Sequence, residues 1–351
     1  MMTFSALPVA FLNAIVPSLV LPYEYIVKLI ALAAAFLSVA LAHRLVLRKE
    51  FPVHHDGDIL ISGTSSGIGR ATCEWLAKQY PHITFYAGVQ RMVQGSPFDL
   101  PNVKQVILDI TNQDHVDAAL ELIKQDQLPL IAVINNAGLY DMSTFEFMGV
   151  DTLRKIMEVN VMGTYMLTQV ALPMIRKSKG RIVTVSSISG LIPGGPLLAA
   201  YQGSKHALEA MFDALRVEVA PHDVSASLIE PGFLQSNIVE EIKWMQETAS
   251  NNCNNQAMEV YPELMGERYL SLFTEMATTT GSMEETCKSI EDAIFDKYPQ
   301  PRYLTSRVGA LPAWLAAKVV NRLADIALHM ETIVFMLRIR VSIEKMLGVA
   351  K

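Results

Sequence analysis

Between about Asp58 and Tyr303, six short apolar runs alternate with helical stretches, and this alternation limits the fold more than any other feature of the chain. The runs are Ile59-Leu60-Ile61, Ile83 to Ala87, Gln105 to Leu108, Leu130 to Ile134, Arg181 to Val185 and Ser225 to Ile229. Each is bounded by turn or helix signals and reads as a buried parallel strand. Amphipathic helices fall between them. From Asp114 to Lys124, for example, Val116, Ala119, Leu120 and Ile123 share one face. Such a pattern predicts an α/β fold, a doubly wound parallel sheet with helices on both faces. Of the 351 residues, 51% are apolar and 18% charged, enough to bury a large core, so global disorder is excluded. The length accommodates one α/β domain with appendages. No internal repeat is visible, and the polar patch Ser250 to Asn255 reads as a solvated loop.

The first strand runs directly into Ser62-Gly63-Thr64-Ser65-Ser66-Gly67-Ile68-Gly69-Arg70, with a helix expected from about Ala71 to Lys78. Three glycines between a strand and a helix bring backbone N–H groups and a helix N-terminus against a pyrophosphate. Gly63 permits the turn, Gly67 close approach, and Gly69 packing of the helix on the strand. The spacing is G-x-x-x-G-x-G, and no Lys-Ser/Thr follows, so a Walker loop is excluded.

Further motifs follow in order: Asn135-Asn136-Ala137-Gly138 after the fourth strand, Asn160, Ser186-Ser187 after the fifth, Tyr201-Gln202-Gly203-Ser204-Lys205, and Pro231-Gly232. With the glycine loop, in which Ser62 stands where that family has Thr, the chain resembles the short-chain dehydrogenase/reductase family over roughly residues 58–305. The tail Tyr298 to Tyr303 is similar to that of its retinol, 17-beta-hydroxysteroid and hydroxybutyrate dehydrogenase branch. The resemblance implies a Rossmann-like catalytic domain over 56–305 and hydride transfer between a nicotinamide cofactor and an alcohol or carbonyl carbon.

Such chemistry requires a proton donor or acceptor at the substrate oxygen, and a free tyrosine has a pKa of ~10, too high for a base near neutral pH. Tyr201 and Lys205 are i,i+4 on a helix and share a face. A nearby ammonium favours phenolate, which predicts a lowered Tyr201 pKa. Ser187 is the expected donor that holds and polarises the substrate oxygen. Its competitors are Ser186 and Ser189; Ser187 to Gly190 matches a Ser-x-x-Gly pattern, and the loop Pro193-Gly194-Gly195-Pro196 accounts for a one-residue insertion before Tyr201. By resemblance, Lys205 also binds the nicotinamide ribose and Asn160 orders a water in a proton relay to it. Also by resemblance, Asp109 meets the adenine beside Ile110, Asn136, Ala137 and Gly138 line the cofactor, and Pro231 and Gly232 lie near the carboxamide. Gly63, Ser65, Ser66, Gly67, Ile68 and Gly69 complete the expected cofactor contacts, and Ser236 stands where the family often has Thr.

An acid at the end of the second strand would bind both ribose hydroxyls and repel a 2′-phosphate. That strand ends Ala87-Gly88-Val89-Gln90-Arg91, with Val89 where the acid is expected and Arg91 able to pair with a phosphate. The reading favours NADP, with NAD the alternative.

The remaining apolar residues lie outside this domain. From Leu29 to Ala42 every residue but Ser38 is apolar, and Ile26 to Leu47 spans 22 residues, against the ~20 a bilayer helix needs. Arg44, Arg48 and Lys49 follow, so residues 1–50 read as a transmembrane anchor with the catalytic domain facing the cytosol. Residues 306–351 read as amphipathic helices that either pack on the domain or lie on a membrane. The segment 233–281, rich in bulky side chains such as Phe233, Trp244, Met245, Met258 and Tyr261, reads as a substrate lid suited to a hydrophobic ligand. Together these features predict a lipophilic small-molecule substrate of steroid or retinoid type, with location at a membrane, the endoplasmic reticulum by resemblance. Helices flanking Asn160 and Tyr201 carry the homodimer the resemblance allows. The alternatives are reduction of an acyl or sphingoid ketone, or a non-catalytic cofactor-binding sensor or scaffold. The net charge of −6 and absence of a basic tract argue against nucleic acid, and Cys73, Cys253 and Cys287 are too far apart in sequence for a zinc ribbon or a disulfide framework. No metal is expected.

Overall fold

The computed structural model describes residues 49–92, 98–191, 196–232, 234, 255–265 and 281–305. The chain divides into two compact units, 1–49 and 50–351, and the fold below belongs to the second. The expected membrane span at Ile26–Leu47, the helices of 306–351, the loop at Pro193–Gly195 and most of the lid lie outside the described residues. Among the described residues no helix is long and apolar enough to cross a membrane.

Seven parallel strands form one sheet in the order β3-β2-β1-β4-β5-β6-β7. They are β1 (Asp58–Ile61), β2 (Thr84–Val89), β3 (Val103–Ile107), β4 (Leu130–Asn135), β5 (Arg181–Val185), β6 (Ser225–Glu230) and β7 (Arg302–Leu304). The six expected strands are present, β5 with the expected bounds and the others with one or both ends moved by one or two residues, and β7 is additional. Its register, Leu228 with Arg302 through Glu230 with Leu304, places it at the sheet edge. The helices are α1 (Gly67–Gln79), α2 (Gln113–Gln125), α3 (Val150–Met157), α4 (Thr164–Ser178), α5 (Ala199–Val219), α6 (Asn255–Val260), α7 (Pro262–Met265) and α8 (Met283–Phe295). A π turn, Glu158–Gly163, joins α3 to α4.

Alternate strand residues feed two cores, as a sheet covered on both faces requires. Leu60, Tyr86, Val133, Ile182 and Leu228 pack with α2, α4 and α5. Ile59, Ile61, Phe85, Ile134, Val183 and Ile229 pack with α1 and α8. Helix α2 begins where Asn112 accepts from the backbone N–H groups of Asp114 and His115, an N-cap that satisfies two otherwise orphaned donors.

Arg181, at the start of β5, is buried under α8. It donates to the carbonyls of Ile294, Asp296 and Pro52 and to Ser225 Oγ. Burial pulls its pKa down to about 10, so the guanidinium stays charged and depends on these four acceptors.

Candidate active site

Strand order reverses at β1, which pairs with β2 on one side and β4 on the other. The crevice beyond the carboxyl ends of strands at such a switch point is the usual ligand site of this architecture. A cavity of about 920 Å³ opens there. One end is lined by Gly63, Ser65, Ser66, Gly67 and Ile68, the middle by Asp109, Ile110, Asn136, Ala137 and Gly138, and the other end by Ser187, Tyr201, Lys205, Pro231 and Gly232. Three expected site residues, Gly69, Arg91 and Asn160, are not among the lining residues.

Helix α1 starts at Gly67, four residues earlier than expected. Its N-cap Ser66 makes no side-chain cap and its first turn holds no acid, which leaves N–H donors available at the cavity. Gly67 has φ +58°, and a Cβ there would meet nothing within 4 Å. Gly69 is different, since a Cβ would lie 2.3 Å from both Gly63 O and Asn136 Nδ2. Gly69 therefore lets the helix close on the loop, and Gly67 leaves room for a ligand. Ser62 accounts for the loop's hold on β4. Its Oγ accepts from the N–H groups of Asn136 (3.0 Å) and Ala137 (3.1 Å), while Asn136 Nδ2 donates to Ser62 O and Gly63 O. An open helix terminus, a glycine facing space and a rigid floor fit the pyrophosphate of a dinucleotide.

Asp109 lines the middle of the cavity, where one carboxylate oxygen accepts from the backbone N–H and hydroxyl of Thr111. At the end of β2, Gly88 and Gln90 line the cavity, while Arg91 is exposed. No carboxylate from that strand faces the site.

At the other end α5 lies against β6 and the turn that follows β5. Ser187 is buried and extended, and it caps the 3₁₀ turn Ile188–Gly190 by accepting from Ser189 N–H at 3.1 Å. Its hydroxyl donates to Pro231 O at 3.4 Å. Of the three candidate serines, all of which line the cavity, Ser187 is the one that lowers the phenol's pKa against burial; the Ser186 hydroxyl is buried without a hydrogen-bond partner among the described residues. Tyr201 is half-buried, with the ring of Tyr140 edge-on at 4.9 Å.

Lys205, buried here although a lysine on a helix face is more often solvated, donates to Val185 O at 2.9 Å and stands over the Tyr201 ring, 5.7 Å from its centroid. The expected lowering of the Tyr201 pKa by this ammonium does not dominate. Burial pushes the phenol above its ordinary range, partly offset by the Ser187 hydrogen bond. Burial also pulls Lys205 down to about 8, opposed by the Glu209 carboxylate.

Asn160 sits in the π turn, where the local widening turns its side chain inward. Its Oδ1 accepts from Leu139 N–H at 2.6 Å, and Nδ2 donates to Leu139 O and Ser204 Oγ. It thus fixes the chain just past Gly138 and ties that segment to α5.

Further lining residues were not anticipated from sequence: Gln90, Thr111, Tyr140, Leu198, Leu234 and Met283. Tyr140, two residues past Asn136-Ala137-Gly138, is the one whose position alone could have marked it. Part of the expected lid is described. Leu234 pairs with Gly281, and Tyr261, between α6 and α7, donates to Glu146 at 2.6 Å and packs edge-on to Phe147.

A family model described as "short chain dehydrogenase" matches residues 58–247. The 3-amino-tetrahydro-pyrrolizinone reductase of Xenorhabdus hominickii is 30% identical over 70% of this chain and 85% of its own length. The 11-beta-hydroxysteroid dehydrogenase type 2 of Oryctolagus cuniculus is 31% identical over 71% of this chain and 64% of its own. Retinol dehydrogenase 16 of Rattus norvegicus is 26% identical over 74% of this chain and 84% of its own.

Proposed function

The chain belongs to the short-chain dehydrogenase/reductase family, as an oxidoreductase of alcohol or carbonyl groups related to steroid and retinol dehydrogenases, and from that premise we propose that it is a membrane-associated, NADP-dependent enzyme interconverting a lipophilic alcohol, of steroid or retinoid type, with its ketone or aldehyde. The observation that carries this reading is the convergence of Ser187, Tyr201 and Lys205 at one end of a cavity whose other end is the glycine loop.

A bound nicotinamide dinucleotide supplies the hydride in reduction and accepts it in oxidation. The α1 N-terminus and Gly67 would hold its pyrophosphate, Asp109 and Ile110 its adenine, and Pro231 and Gly232 its carboxamide. In reduction Tyr201 gives its proton to the substrate oxygen; in oxidation it takes the proton back. A phenol held above its ordinary pKa by burial keeps that proton until negative charge develops on the oxygen. Ser187 donates a hydrogen bond to the same oxygen from a fixed position, so little reorganisation accompanies the charge. Lys205 adds a positive charge beside both.

NADP is preferred because β2 ends without an acid, leaving no carboxylate to repel a 2′-phosphate, and because Arg91 is exposed beside it. Leu198, Leu234 and Met283 give the substrate end an apolar lining. The stretch Ile26–Leu47 supports membrane association.

The test is cofactor consumption by the full chain with NADPH and NADH in parallel against steroid, retinoid and long-chain ketones or aldehydes. NADPH oxidation with one of the first two classes is expected, and Tyr201→Phe lowers it by about 10²–10⁴-fold while NADPH still binds. Activity on long-chain acyl or sphingoid ketones alone replaces the substrate class. NADPH binding with no turnover of any of these replaces the enzyme with a sensor, and undiminished Tyr201→Phe activity refutes the mechanism.

A further inference from the structure

Beneath Lys205 lies a group of charges that the proposed reaction does not use. Glu209, one turn further along α5, is buried, as is Glu230 at the end of β6. Arg302 of β7 reaches both, with Nε 3.0 Å from Glu209 Oε2 and 3.2 Å from Glu230 Oε1, and it also contacts Asp213 at 2.6 Å. Arg216 meets Asp213 at 2.6 Å from the outer side. Three carboxylates thus share two guanidinium groups, and the third cation adjoining the group is Lys205.

The same helix face meets the end of β5, where Lys205 donates to Val185 O at 2.9 Å. A Cβ on Gly190 would lie 3.0 Å from Glu209 Cγ, Lys205 O and Ser186 Oγ, so the turn after Ser187 closes directly over this contact.

We propose that Glu209, braced by Arg302, is a positioning residue for the reaction centre: it holds α5 in register with the turn after Ser187 and keeps the buried Lys205 ammonium charged. This rests on the active-site reading above but concerns a different set of atoms. Glu209 is faced by Arg302 from β7, Glu230 from β6, Ser186 just past β5, and Lys205 and Asp213 from its own helix. A carboxylate there favours a cation one turn away, whereas burial alone favours the neutral amine. Consistent with this, Glu209 opposes the fall of the Lys205 pKa that burial imposes.

The experiment titrates Lys205 in the full chain without cofactor or substrate. Lysines are reductively methylated with [13C]formaldehyde, and the Lys205 signal, assigned by its loss in Lys205→Arg, is followed against pH by NMR. The wild-type midpoint is expected near 8. In Glu209→Gln, which keeps the shape and the hydrogen bond but removes the charge, the midpoint falls by about one pH unit or more. Asp213→Asn, which leaves Glu209 in place and removes one charge from the outer end of the group, lowers it by a smaller amount. A midpoint that does not move in whichever of the two folds overturns the proposal. Glu209→Asp, retaining the charge, restores the midpoint; a midpoint as low as that of the Gln variant overturns it too. Because none of these titrations needs turnover, a failure here is distinct from failure to oxidise NADPH, which bears on the active-site reading alone.

Discussion

Gly67 and Gly69 lie two residues apart, yet replacing each with alanine should fail in a different way. At Gly69 the new methyl would sit 2.3 Å from Gly63 O and Asn136 Nδ2, inside any real contact distance and against backbone. The loop must shift, and overpacking of this kind costs about 1–3 kcal/mol or more. Because Asn136 and Ser62 tie that loop to β4, the loss should appear in global unfolding. At Gly67 the methyl meets nothing, and the remaining penalty is the left-handed conformation at φ +58°, about 1–2 kcal/mol. That methyl nevertheless projects into the space where phosphate oxygens would approach the α1 amides. Losing one charge-assisted hydrogen bond of about 1.5–3 kcal/mol weakens NADPH binding about 10–100-fold. Urea unfolding and NADPH fluorescence titration on both variants separate the two effects. A folded Gly67→Ala that binds NADPH as tightly as wild type would falsify the assignment of this loop as the pyrophosphate cradle.

Two further outcomes are expected. Ser187→Ala should lower kcat by about 10²–10³-fold with little change in NADPH affinity, whereas Ser189→Ala should keep most activity; a reversed order would move the polarising role to Ser189. Asp58 is fully buried without a well-formed hydrogen bond to either oxygen, and burial, with Asp126 nearby, raises its pKa from 3.8 to about 6, against partial opposition from Lys104 and Thr84. A carboxyl raised on folding stabilises the native state at low pH, and that contribution is lost as pH rises through about 6. Asp58→Asn should therefore gain about 1–3 kcal/mol at pH 7.5 in urea unfolding and flatten the dependence between pH 4 and 6; an unchanged pH dependence refutes the placement.

The parts of this fold that a reader of the sequence could recover are those written in hydrophobic period and glycine spacing. β5 runs from Arg181 to Val185 as expected, because an apolar run between a glycine and two serines leaves little choice. β7 was not legible. Three residues with an arginine among them have no period, and only the edge position beside β6 makes them a strand. The start of α1 was placed late because its first turn is also the ligand loop. The π turn at Asn160 leaves no mark in composition, since a one-residue widening is set by packing and by the inward side chain. Candidate site residues were recoverable by type and order, but their electrostatics were not. Helical spacing puts Lys205 near Tyr201; it does not reveal that the ammonium is directed at Val185 O or that burial dominates the phenol. Nor does it reveal Glu209 and Arg302, since charged residues on a helix and near the carboxyl end of a domain ordinarily face water.

Arg181 has a consequence for how this domain tolerates what is joined to it. The guanidinium fastens Pro52 to the floor of the sheet, where strands begin, while the cleft lies at the rim, where they finish. The length of β5 separates the two, about 15 Å at the usual rise per residue. Load that reaches Pro52 therefore meets this anchor at the floor, a strand's length from Ser187 and Tyr201.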